Sequence, residues 1–336
     1  MELLNDWLDN TWIAVAAIVL GFVLLVHGAD GLVDGASALA RRWGVSNLVI
    51  GLTVVAFGTS MPEFVVNMVA AANRNTEIAI TNILGSNAIN IFVILGLTAV
   101  IYPVRSQEQC RRFDIPWSLL AGLLVLFFAT YTRPMQAGWG SFCLQDGFIS
   151  GIGGIVLLLF FAVFLWHSFR FAKADTEEKR DNTSAMSCGK AVLFIILGLA
   201  GLVAGGELIV RSATRIAVAM GVSDAVIGLT VVALGTSLPE LAASCVAAAK
   251  HNSDLALGNV IGSNIFNVFF ILGTSACITP LPVYPGLWLD TLIVMLGSLM
   301  VMLFVYTGKW HKIQRWHGVL LLLVYATYLT YRLMTV

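Results

Sequence analysis

Charge is what this sequence most lacks. Only 11% of its 336 residues are Asp, Glu, Lys or Arg and 58% are hydrophobic, whereas soluble domains carry about a quarter charged residues. A water-soluble globular chain is thereby excluded, because it could not hide so much apolar surface. The formal net charge is zero, which removes nucleic acid and other polyanions as expected partners. No Ser-His, Cys-His or H-E-x-x-H constellation occurs, so an enzyme is not expected. The five cysteines (Cys110, Cys143, Cys188, Cys245, Cys277) are scattered, with no C-x-x-C. They read as small packing residues, and no metal or redox cofactor is expected. A basic region before the first apolar run is also missing from MELLNDWLDNTW, so a cleavable signal is not expected and the first helix stays.

What is there is hydrophobic sequence in lengths that fit a bilayer, whose hydrocarbon core of roughly 30 Å takes about 20 helical residues. Ten candidate spans lie near 12–36, 47–72, 77–102, 113–132, 147–171, 189–214, 224–249, 254–279, 287–307 and 315–334. The first and sixth run on in weakly polar helical sequence to glycines at 44 and 221, longer than a bilayer is thick, and would have to tilt. The one clearly hydrophilic linker is Lys173 to Ser187.

Residues 51–72 and 228–249 are identical at 15 of 22 positions. The offset of 177 holds without a gap from Gly28 and Asp30 (Gly205, Glu207) to Pro103 (Pro280). The chain is therefore duplicated, and the repeat dictates the architecture before any one residue is interpreted. Across alternate connections Lys and Arg divide fourteen to five, which places the central linker in the cytoplasm and both termini outside. Five helices per half make the second copy enter from the opposite face. The expected fold is an all-α integral membrane protein with about ten transmembrane helices in two inverted five-helix repeats: a first half over 1–172, a cytoplasmic linker over 173–188 and a second half over 189–336.

Each repeat carries one carboxylate deep in an apolar span, Glu63 in GTSMPE and Glu240 in GTSLPE. An ionised side chain there costs about 2.5–3.5 kcal/mol on insertion scales. Pro62 and Pro239 cannot donate to the carbonyls of Gly58 and Gly235, so the helix should break and release carbonyl oxygens near Ala56 to Thr59 and Ala233 to Thr236. Thr59, Ser60, Thr236 and Ser237 add hydroxyls. Carbonyls, hydroxyls and carboxylates suit a hard cation such as calcium or sodium. A second signature, GSNAIN and GSNIFN, supplies Ser86 with Asn90 and Ser263 with Asn267. These residues are four apart and share a helix face. Inverted symmetry would close the two sets into one cage. Glutamates serving only as interhelical glue would not need duplicated prolines and hydroxyls beside them. Asp30, Glu207 and Arg211 lie toward helix ends and read as structural ion pairs, and His27 as a packing residue.

The paired G-T-S-x-P-E and G-S-N-x-x-N signatures resemble the alpha repeats of the calcium/cation antiporter superfamily, the sodium/calcium exchanger family of prokaryotic type. The resemblance implies that Glu63 and Glu240 are the central cation ligands. It implies neutral oxygen ligands at Thr59, Ser60, Thr236, Ser237, Ser86 and Ser263, and backbone carbonyl ligation at Ala56 and Ala233. It also implies that the first and sixth helices form a tilted gating pair sliding across an eight-helix core. The short linker resembles prokaryotic members and leaves no room for a calcium-sensing domain.

Many exchangers of this family have aspartate where Asn267 stands, so the site charge here is at most minus two. One calcium would neutralise it, whereas three sodium ions would leave plus one, making a three-to-one exchange sensitive to membrane potential at about 2.3 kcal/mol per charge per 100 mV.

The expected activity is secondary antiport, sodium against calcium, by alternating access in a prokaryotic inner membrane. Inorganic cations and the lipid bilayer are the partners, transported calcium and sodium the ligands, and a monomer suffices. A proton-coupled divalent cation exchanger is the alternative within transport. A cation channel whose duplicated carboxylates form a selectivity ring is the alternative from another class.

Overall fold

The computed structural model describes residues 11–131, 148–170, 186–222, 233–284, 286–307 and 311–335. Most of the hydrophilic linker and the start of the seventh expected span, 223–232, lie outside the described residues. Helix α1 (Thr11–Trp43) is followed by α2 (Asn47–Thr59) and α3 (Met61–Ala72), which meet at Ser60 with a bend of 49°. Helix α4 (76–101) contains a wide-turn segment at Ile89–Ile94 and leads into the two-residue strand β1 (Val104–Arg105). Helix α5 (Cys110–Thr130), strand β2 (Phe148–Ile149) and α6 (Gly151–Arg170) complete the first half.

The second half opens with α7 (Cys188–Ala219), then α8 (Ala233–Thr236) and α9 (Leu238–Ala249). Helix α10 (Ser253–Ile278), strand β3 (Leu281–Pro282), α11 (Leu287–Thr307), strand β4 (Lys312–Ile313) and α12 (Arg315–Thr335) follow. Among the described residues seven helices are long and apolar enough to cross a membrane, or eight if α2 and α3 form one bent span. The protein is thus an all-helical, multi-pass membrane protein.

The duplication extends to backbone detail. Met61–Ala72 and Leu238–Ala249 are copies at the offset of 177, as are Thr76–Ala88 and Ser253–Ile265. Strands β1 and β3 are also copies, yet β1 pairs with β4 and β3 with β2, both antiparallel. Gly44 and Gly221 both have positive φ, 65° and 77°, as do Arg74 and His251, at 57° and 58°. Glycine holds the left-handed turn at the first pair without strain.

Helices α4 and α10 form the centre. Burial reaches 78% and 94% of their apolar windows, against 28% for α1 and 33% for α7. The latter two therefore lie outside the core, and they pack on one another through reciprocal glycines. A Cβ on Gly198 would sit 2.6 Å from the Leu32 backbone nitrogen, and one on Gly205 2.6 Å from the Gly21 carbonyl. Such small residues let backbones touch where lipid offers no hydrophobic drive for association.

Candidate functional site

Ser60 and Ser237, at φ/ψ of about −85° and +8°, end the short helices α2 and α8, and the prolines fall in the first turn of α3 and α9. Proline is tolerated there because its missing N–H would have no intrahelical partner in any case. The break thus falls two residues after Gly58 and Gly235. Those glycines make room for α7: a Cβ on Gly58 would meet Leu199 at 2.6 Å, and one on Gly235 would meet Val210. Ala56 is buried, and its carbonyl accepts the Ser60 N–H at 3.0 Å and the Thr59 hydroxyl at 3.4 Å. It therefore keeps a helical bond despite the nearby proline. Ala233 opens α8 directly after residues outside the described set.

The breaks place Glu63 and Glu240 in the first turns of α3 and α9, both fully buried. Serines reach across the repeats: Ser60 Oγ donates to Glu240 Oε1 at 2.7 Å and Ser237 Oγ to Glu63 Oε1 at 3.4 Å. Ser86 Oγ donates to Glu63 Oε1 at 3.3 Å and lies 3.0 Å from Ser237 Oγ. The structure thus gathers Glu63, Glu240, Ser60, Ser237 and Ser86 into one cluster. Thr59 belongs to its margin, donating to Asn259 Oδ1 at 3.1 Å, while Thr236 stands beside Ser237 at the end of α8.

Asn90 and Asn267 are buried and bonded across the repeat boundary: Asn90 Nδ2 donates to Asn264 Oδ1 at 3.1 Å, and Asn267 Nδ2 to Asn87 Oδ1 at 3.0 Å and Ser86 Oγ at 3.3 Å. Several acceptors are left over. Glu63 Oε2, Glu240 Oε2, Asn90 Oδ1, Asn267 Oδ1 and Ser263 Oγ are buried with no hydrogen-bond partner. Among the described residues neither glutamate makes an ion pair. Two buried carboxylates without a basic partner, beside unpaired amide and hydroxyl oxygens, are costly unless a cation or protons join them. These five left-over atoms are oxygens, the ligand chemistry of hard cations.

Four participants were not singled out from the sequence. Asn87 and Asn264 lie inside the GSN signature, and their duplication was the available signal. Asn67 Nδ2 donates to the Glu63 carbonyl at 2.9 Å. Asn259 Nδ2 donates to Ser244 Oγ at 2.9 Å and to the Glu240 carbonyl at 3.3 Å. Their spacing of four from Glu63 and from Ser263 was the only hint. Outside the site, Glu207 pairs with Arg211 and Asp30 with Lys250, so these groups are in ion pairs as expected.

A helical membrane protein that buries two carboxylates, one from each copy of a duplicated motif, among hydroxyl and amide groups and, in its described residues, without a lysine or arginine partner has the architecture of a cation transporter. The profile of the sodium/calcium exchanger protein family matches residues 13–170 and 190–334, and the chain belongs to that family of membrane antiporters. It is 33% identical to the sodium/calcium exchanger MaX1 of Methanosarcina acetivorans, covering 93% of this chain and 96% of that one. It is 37% identical to the inner membrane protein YrbG of Escherichia coli over 80% and 81% of the two chains. A solved structure of the sodium-calcium exchanger NCX_Mj superposes with a TM-score of 0.80 at 34% identity, covering 95% of this chain and 99% of that one.

Proposed function

We propose that this antiporter exchanges sodium for calcium at the cage built from Glu63 and Glu240. The observation that carries the reading is the half-satisfied state of both carboxylates. One oxygen of each is held by serine, and the other is buried without a partner beside two equally unpartnered amide oxygens. Calcium, which takes six to eight oxygens, would draw its ligands from those free lone pairs, the hydroxyls of Thr59, Ser60, Thr236, Ser237, Ser86 and Ser263 and the carbonyls of Ala56 and Ala233, a set larger than one calcium fills. Sodium competes for the same carboxylates, and that competition couples the two fluxes.

The fold supports ten spans in two inverted halves. The copied strands β1 and β3 pair with different partners, so α4 and α10 end at different pairs. Residues 1–172 and 189–336 form the halves and 173–188 the linker. Both termini face outward and the linker lies in the cytoplasm of a prokaryotic inner membrane. The outlying, glycine-packed α1 and α7 slide over the core to open the cage to alternate faces. The monomer suffices, and the transported ions are substrates in the absence of any resident cofactor.

The test is calcium uptake into sodium-loaded proteoliposomes with and without an outward sodium gradient, alongside an imposed pH gradient. Sodium-driven accumulation that disappears in Glu63→Gln supports the reading. Accumulation driven by the pH gradient without sodium would replace it with proton coupling, and uptake that never exceeds equilibrium would indicate a channel.

A further inference from the structure

Amides make ambiguous ligands. One end is an oxygen that a cation accepts, and the other an NH2 that it repels. A buried asparagine in a cation site therefore needs something to fix which end it presents. In Asn267 the nitrogen is consumed by Asn87 Oδ1 at 3.0 Å and Ser86 Oγ at 3.3 Å, leaving Oδ1 unpartnered. In Asn90 the nitrogen is consumed by Asn264 Oδ1 at 3.1 Å, and again Oδ1 is unpartnered. Asn87 is itself oriented, because its Nδ2 donates to the backbone carbonyl of Asn264 at 3.2 Å, which leaves its Oδ1 as the acceptor. Asn264 Nδ2 has no partner, so the lock on Asn267 is the better anchored of the two.

We propose that Asn87 and Asn264 are positioning residues that hold the amides of Asn267 and Asn90 with their oxygens free for the exchanged cation. This rests on the cage being the cation seat. Each lock crosses from one repeat to the other, so neither half orients its own amide. Without Asn87 the Asn267 amide keeps only its longer bond to Ser86 Oγ, and its NH2 end then faces the cation for part of the time. The loss falls on cation affinity and leaves the sliding step alone.

The decisive experiment is a double-mutant cycle on calcium half-saturation in sodium-loaded proteoliposomes, with folded protein measured by thermal melting in detergent. Asn87→Ala raises half-saturation about tenfold, the lower end for outer-shell partners of a metal ligand, and leaves the maximal rate within about twofold. In an Asn267→Asp background both ends of residue 267 are oxygen, so adding Asn87→Ala shifts half-saturation by less than about twofold. Equal shifts in the two backgrounds, or no shift in the wild-type background, overturn the proposal. If Asn87→Ala does not fold, Asn264→Ala with and without Asn90→Asp supplies the same cycle, and misfolding of both assigns these residues a structural role and overturns it too. A wild type that accumulates no calcium overturns the exchange reading itself. A wild type that exchanges normally beside an unaffected Asn87→Ala overturns the positioning role alone.

Discussion

Helices α1 and α7 are copies of one another, but the ion pairs at their matching acidic positions, Asp30 and Glu207, run to different places. On α1, Asp30 and Asp34 both pair with Lys250, the residue after α9, at 2.6 Å, and Asn252 Nδ2 donates to Ser37 Oγ at 3.0 Å. On α7 the corresponding positions are Glu207 and Arg211, which pair with each other along their own helix, and the position matching Lys250 is Asn73. The duplication has kept the site chemistry nearly unchanged and let the contacts of the outer helices diverge. The two copies are therefore chemically alike around the glutamates and unlike in the ion pairs of α1 and α7.

The largest expected effect comes from breaking what the halves share. Glu63→Gln and Glu240→Gln each reduce exchange to the background of empty vesicles while the protein still purifies folded, and near-normal exchange in either would remove the central role of that carboxylate. Next comes the common surface of α1 and α7. Gly198→Leu puts a side chain where a Cβ already meets backbone at 2.6 Å. Overpacking of this kind costs about 1–3 kcal/mol, and turnover falls by about tenfold, or roughly 1.4 kcal/mol on the barrier. An unaltered turnover would show that the two helices do not move in the cycle.

Lys250→Met removes one contact by which the two copies differ. Partly exposed pairs are worth about 1 kcal/mol or less, so the ratio of calcium half-saturation at the two faces shifts by up to about fivefold. An unchanged ratio in right-side-out and inside-out vesicles would discard the tether. Burial alone would lower the Lys250 pKa, but hydrogen bonds and attraction from Asp30 and Asp34 outweigh it and hold the group above its ordinary 10.5. A raised value means the contribution is complete below the unfolded pKa and is lost as pH rises through the folded one. Wild type and variant should therefore differ steadily from neutral pH to about 10 and converge only in stronger alkali. The smallest effect belongs to Arg211→Ala. It removes an exposed pair within one helix, worth about 0.3–0.5 kcal/mol, and should change neither face's half-saturation measurably.

The carboxylates, the serines beside them and the broken helices were legible because the chain states them twice with proline at fixed spacing. Helical periodicity also put Ser86 with Asn90 and Ser263 with Asn267. Periodicity is silent about which end of an amide is consumed, because Asn87 and Asn264 act on partners 174 to 180 positions away in the other repeat. The same holds for Lys250, whose acidic partners on α1 are more than 200 residues distant. Gly58 and Gly235 look like part of the break in sequence. In three dimensions their lack of a side chain serves α7, and only the packing reveals it.

The miniature strands bear on how such a molecule could have arisen. Both pairs, β1 with β4 and β2 with β3, join one copy to the other: β1 follows α4 and β4 precedes α12, just as β3 follows α10 and β2 precedes α6. That is the reciprocal contact pattern of a dimer of identical subunits. A gene cut within residues 173–188 and expressed as two pieces should therefore still yield an assembled exchanger. The ancestral unit, in this view, was a single repeat that paired with its own copy before fusion recorded the partnership in one chain.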